Sequence, residues 1–218
     1  EARKFWESAG EYGKAAEVLC DAGDVYFSLS KYREALSQYE ESLAINKGSD
    51  QLARLTALNG IAYMQANLGQ NDTALENAQS ILKEIEKLTA ERTLPPFKRI
   101  EAQATNTIGE VYHARRELQK AIEYYSKTEP IWREARDRAG EALALLNLGY
   151  AYADMSDLRR ASEHYQRALS LFDKIHDGRG RALAQTANAG VLSILGEPQA
   201  ALDLHQKALG YFHQTGYK

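Results

Sequence analysis

Residues 145–168 read LLNLGYAYADMSDLRRASEHYQRA, and this stretch decides the fold. Leu145, Leu148, Gly149 and Tyr152 fall at three- and four-residue spacing, and so do Ala161, Tyr165, Ala168, Leu169 and Phe172. Both sets are helical stripes, with no two-residue alternation to indicate a strand. The same pattern returns along the whole chain. Ala161 has counterparts at Ala35, Ala74, Ala121 and Ala201, and the successive separations are 39, 47, 40 and 40 residues. Gly149 and Tyr152 before Ala161 are matched by Gly23 and Tyr26 before Ala35. Self-similarity at this period marks a repeat architecture, in which each unit buries its apolar face against its neighbours. The expected fold is all-α, a solenoid of antiparallel helix pairs. Such a stack presents a long surface for binding rather than a pocket for chemistry.

Composition narrows the function. The chain has 218 residues, 44% hydrophobic and 26% charged, with a net charge of −3. That balance is ordinary for a globular protein. It lacks the basic excess of a nucleic-acid binder, and no apolar run approaches the ~18 residues that span a bilayer. Neither nucleic acid nor membrane is therefore expected as a partner. The single cysteine, Cys20, has no internal disulfide partner, which fits a reducing compartment. Residues 1–4, Glu-Ala-Arg-Lys, are not followed by a signal-peptide apolar region. The expected location is cytoplasmic.

Punctuation divides the chain into hairpins. Gly69 and Gly196 follow apolar helical runs and read as left-handed C-terminal caps. Pro198 sits at the favoured first position of a helix. Ser30 and Ser156 read as N-caps of the helices that follow them. The first helices are expected near 15–29, 50–68, 97–115, 139–155 and 180–195, and the second near 31–46, 71–92, 118–136, 158–176 and 198–214. The repeats then run 13–48, 49–95, 96–137, 138–177 and 178–218, and residues 1–12 resemble the end of a preceding second helix. The 47-residue step is assigned to an extended second helix over 71–92, stopped by Pro95 and Pro96. Neither end carries a polar capping helix, so the sequence is expected to be a fragment of a longer array.

Each unit resembles the tetratricopeptide repeat, which implies an all-α, right-handed superhelical solenoid of antiparallel helix pairs. Its positions 4, 7, 8, 11, 20, 24 and 27 are Leu145, Leu148, Gly149, Tyr152, Ala161, Tyr165 and Ala168 in the fourth unit. In the first they are Leu19, Ala22, Gly23, Tyr26, Ala35, Tyr39 and Ser42. The second departs at Ala62, Gln65 and Ile81, the fifth at Ala189, Leu192 and His205. Gly149 is expected to face Ala161, letting the two backbones approach. The period of about 40 resembles the long-period arrays of bacterial CHAT-domain proteins and Pins-type adaptors.

The resemblance implies a non-catalytic protein–protein interaction scaffold that binds a peptide segment or partner protein in a concave groove. The alternative it implies is a regulatory arm of a larger enzyme, such as a CHAT-type caspase-like protease. It also implies which residues line that groove: Asp21, Asp24, Phe27, Asn59, Tyr63, Asn67, Asn106, Glu110, His113, Asn147, Tyr150 and Asp154. The set is rich in asparagine, tyrosine and carboxylate and holds no lysine or arginine. Asparagine offers an extended peptide both a donor and an acceptor. Carboxylates favour a basic ligand. The expected partner is an extended, neutral-to-basic segment, from another protein or from another domain of the same parent chain. The Lys/Asn/Arg clamp of chaperone-tail binders is absent.

No cofactor, metal or catalytic residue is expected. The five histidines, His113, His164, His176, His205 and His213, form no helical metal pair. Gly178 and Gly180 lack the preceding strand and following lysine of a phosphate loop. Trp6, Trp132, Phe172 and Phe212 occupy equivalent positions and read as packing between repeats. Arg133, Arg136, Arg138, Arg159, Arg160 and Arg167 read as ordinary surface charge.

Overall fold

The structure, a computed structural model, describes residues 1–88 and 91–215. Its helices are α1 (Ala2–Ser8), α2 (Tyr12–Ser28), α3 (Tyr32–Asn46), α4 (Gln51–Asn67), α5 (Asn71–Lys87), α6 (Pro95–Ala114), α7 (Leu118–Glu134), α8 (Arg138–Asp154), α9 (Leu158–Lys174), α10 (Gly178–Ile194) and α11 (Pro198–Thr215). A short 3-10 turn spans Glu91–Thr93. No strand occurs among the described residues. The chain divides into two compact units, Glu1–Val111 and Tyr112–Lys218. In the first, α1 packs on α2, α2 on α3, α3 on α4 and α4 on α5, while the first helices α2 and α4 also touch. In the second, α7 packs on α8, α8 on α9, α9 on α10 and α10 on α11, and α8 touches α10.

One backbone device recurs between most consecutive helices, though not between α3 and α4 or between α5 and α6. After α2, the amide of Ser30 donates to the Phe27 carbonyl and that of Lys31 to the Tyr26 carbonyl. This is the Schellman pattern, and it satisfies carbonyls that the helix end leaves open. After α8, Ser156 bonds Ala153 and Asp157 bonds Tyr152 in the same way. The third residue of each link is at once the helix exit and the N-cap of the next helix. Ser30 and Ser156 are therefore not N-caps, as their side chains suggested. They hold the left-handed position, at φ of 58° and 63°, the position Gly69 and Gly196 fill at 77° and 84°. The N-caps are Lys31 and Asp157, and Asp157 accepts a bond from the Arg160 amide.

The extended second helix over 71–92 does not form. α5 ends at Lys87, and Leu88 is extended at ψ 127°. The part of that expectation on Thr89 and Ala90 lies outside the described residues. The last α5 side chain to be buried is Ile85. Beyond it, good helix propensity has no packed face to support it, and propensity alone holds helices only marginally.

Small residues do let helices approach, but the partner is a ring. A Cβ on Gly149 would stand 2.3 Å from the Tyr165 ring, closer than any Ala161 atom. A Cβ on Gly23 or on Gly60 would strike Tyr39 at 2.7 or 2.6 Å. The second-helix aromatic thus fills the space left by glycines of its own and the following first helix. Trp132 and Phe172 lie likewise against Gly140 and Gly180, as expected of packing between repeats. Each fully buried aromatic contributes ~1.5–3 kcal/mol.

Candidate functional site

The first helices of unit 1 carry eight of the expected groove residues, and a few contacts link them from helix to helix. On α2, Asp21 and Asp24 are exposed and Phe27 is half-buried. Asp24 accepts a hydrogen bond from the hydroxyl of buried Tyr39. Burial raises its carboxyl above the usual range, and that bond opposes the rise. Phe27 meets Tyr63 of α4 at 5.2 Å between ring centroids and Tyr32 at 6.0 Å. On α4, Asn59 and Tyr63 are one turn apart. Asn59 is 4% exposed, and its amide donates to Gln103 Oε1 on α6 at 2.7 Å. Its own Oδ1 is buried without a partner. Asn67 donates to the Tyr63 carbonyl and so caps its own helix.

Glu110 closes this face. Its Oε1 accepts a 2.8 Å bond from the Asn106 amide, one turn earlier on α6. Among the described residues no lysine, arginine or histidine pairs with it. Burial pushes its carboxyl up to about 7, and the Asn106 bond only partly opposes this. The Glu110 charge in turn is the main cause that holds the Tyr63 hydroxyl above its ordinary range, with burial second. Gln103 did not feature in the sequence-derived set. It falls three residues before Asn106 and seven before Glu110, so helical periodicity places it on their face.

In unit 2 the position equivalent to Glu110 is Tyr150, and the carboxylate of that first helix, Asp154 one turn later, is already occupied. Asp154 Oδ2 lies 3.0 Å from His113 Nε2 and also receives the Arg116 guanidinium. A set that seemed to hold no cation therefore acquires one. Arg116 sits in the turn after α6, off the helical face by periodicity, but its long side chain reaches Asp154. Tyr150 stands edge-on to Tyr165 at 5.5 Å, and burial raises its hydroxyl above the usual range. Asn147 is half-buried on the same helix.

Other reactive groups are quiescent. Cys20 is buried, with Sγ 3.2 Å from the Ser42 hydroxyl, and burial pushes its thiol up to about 11. A thiol so protonated is a poor nucleophile. Among the described residues no three metal-ligating side chains converge, and no helix is long and apolar enough to cross a membrane.

Family models described as tetratricopeptide repeat match residues 16–48, 100–174 and 141–214. No curated protein matches the chain. Among solved structures, BtubC (BKLC) from P. vanneervenii is 19% identical with a TM-score of 0.74, over 100% of this chain and 87% of that one. The Rap conjugation gene regulator of the plasmid pLS20, in complex with the Phr* peptide, is 14% identical with a TM-score of 0.78, over 97% of this chain and 57% of that one. A Rap protein complexed with competence and sporulation factor is 15% identical with a TM-score of 0.77, over 93% and 54%. This chain thus spans just over half the length of the two Rap proteins.

Proposed function

The chain belongs to the tetratricopeptide repeat family, and from that premise we propose that it is a non-catalytic scaffold that binds an extended peptide segment along the first-helix face of unit 1. The observation that carries this is the row formed by Asn59, Tyr63, Gln103, Asn106 and Glu110 across two first helices. Amide side chains in such a row can pair with a peptide backbone through donor and acceptor alike. Phe27 and Tyr63 add an apolar wall. The Rap relatives in complex with peptide factors share this fold, which supports a peptide as the occupant. The charge of the face favours a neutral-to-basic segment.

A positional-scanning library of unstructured decapeptides, titrated against the purified protein, tests this reading. Bound peptides are expected to be enriched in lysine and arginine, and Tyr63→Ala with Asn106→Ala is expected to weaken them at least tenfold. Affinity should also fall with added salt. Peptides bound equally well by the double variant would refute the assignment of this face.

A further inference from the structure

Glu110 is a half-buried carboxylate of the unit 1 first helices with no protein cation paired to it among the described residues. Among the described residues its side-chain hydrogen bond is the one from the Asn106 amide. One turn from Tyr63, Asn59 leaves its Oδ1 buried and unpartnered in a side chain 4% exposed. The unmet hydrogen-bonding capacity along this row is thus acceptor capacity. A buried acceptor left open is costly, and an unpaired buried carboxylate more so. Where such a group stands beside an apolar wall on a binding face, it is a candidate for completion by a ligand. The Tyr63 ring, near enough for its hydroxyl to feel the Glu110 charge and packed 5.2 Å from Phe27, supplies an apolar surface close to the carboxylate. A group that satisfies all three features is a donor-only cation on an aliphatic stem.

Building on the peptide-scaffold reading, we infer that Glu110 is the anchor for a lysine or arginine side chain of the bound segment. The cation meets the Glu110 carboxylate, and its methylene stem lies along Tyr63. Arginine fits a carboxylate through a fork of two parallel N–H bonds. The assignment goes beyond a general preference for basic segments, because it requires one cation at one place.

Two peptides decide it: acetyl-Ala-Ala-Arg-Ala-Ala-amide and its citrulline counterpart, which keeps the shape and loses the charge. Each is titrated against the whole chain, with amide chemical shifts as the readout. The arginine peptide is expected to move the signals of Tyr63, Asn106 and Glu110 and to bind at least tenfold tighter than the citrulline peptide. Glu110→Gln is expected to remove that difference while leaving the far-ultraviolet spectrum unchanged. Equal affinity for the two peptides, with shifts still on α4 and α6, would overturn the anchor and leave the scaffold reading standing. A difference that survives in Glu110→Gln would likewise place the anchor elsewhere. Absence of shifts on the first helices with either peptide would overturn both.

Discussion

Glu110 in unit 1 and Asp154 in unit 2 are both carboxylates of first helices, one turn apart in the repeat register, and they meet opposite fates. Asp154 is exposed and is paired by His113 and Arg116 from its own unit. Glu110 is more enclosed, burial pushes its carboxyl up to about 7, and among the described residues its hydrogen bond comes from the neutral Asn106 amide. The chain neutralises the carboxylate that water could have served, and leaves bare the one that burial penalises. A residue chosen for stability alone would show the reverse. The difference points to unit 1 as the face kept open for a cationic ligand, and to Asp154 as part of the scaffold.

The comparison can be broken most severely through packing. Tyr150 and Asp154 are presented by α8, which is held under Tyr165 by Gly149. Gly149→Leu should cost about 3 kcal/mol through overpacking, read as a lower denaturant midpoint. An unchanged midpoint would mean that this contact does not position the unit 2 face.

The next effect is a gain. The Glu110 carboxyl is raised from 4.5 to about 7, so between those values the folded chain binds more protons than the unfolded one. Stability must then fall as pH rises through that window. Glu110→Gln removes the penalty. It should stabilise the protein by about 2 kcal/mol at pH 8, allowing for partial solvent access, and by almost nothing at pH 4.5. Chemical denaturation at the two pH values measures this. A gain independent of pH would show that Glu110 is not the strained group.

A smaller test asks whether an unpartnered polar group is costly where no ligand is proposed. Asn188 is 3% exposed with Oδ1 unpaired, and it stands 40 residues after Leu148. Asn188→Leu should add about 1 kcal/mol, seen as a higher melting temperature. The smallest expected change in stability is that of Arg116→Met, because exposed ion pairs contribute ~0–1 kcal/mol. Its value lies in binding. With Asp154 partly released, the arginine pentapeptide should begin to shift signals of Asp154 and Tyr150. If it does not, pairing is not what separates the two faces.

Much of the fold was legible residue by residue. The recurrence of Ala35, Ala121 and Ala161 located the hairpins, and Gly69 and Gly196 marked helix exits because glycine alone tolerates a positive φ without strain. The same rule failed at Ser30 and Ser156, where Schellman bonding holds a serine at that position instead. At Arg116, φ is also positive, at 62°, and the side chain escapes the helical face on which periodicity sorts residues. Gln103 was legible in spacing, yet its role depends on Asn59 from another helix.

Helix identity, hairpin order and the set of first-helix residues were determined by the amino-acid order alone, since each follows from spacing along one chain. Tertiary structure decided where α5 stops, which ring lies on Gly149, and which of two carboxylates finds a cation. Those outcomes depend on distances between helices, and local sequence encodes the direction of a side chain but not what waits at the end of it.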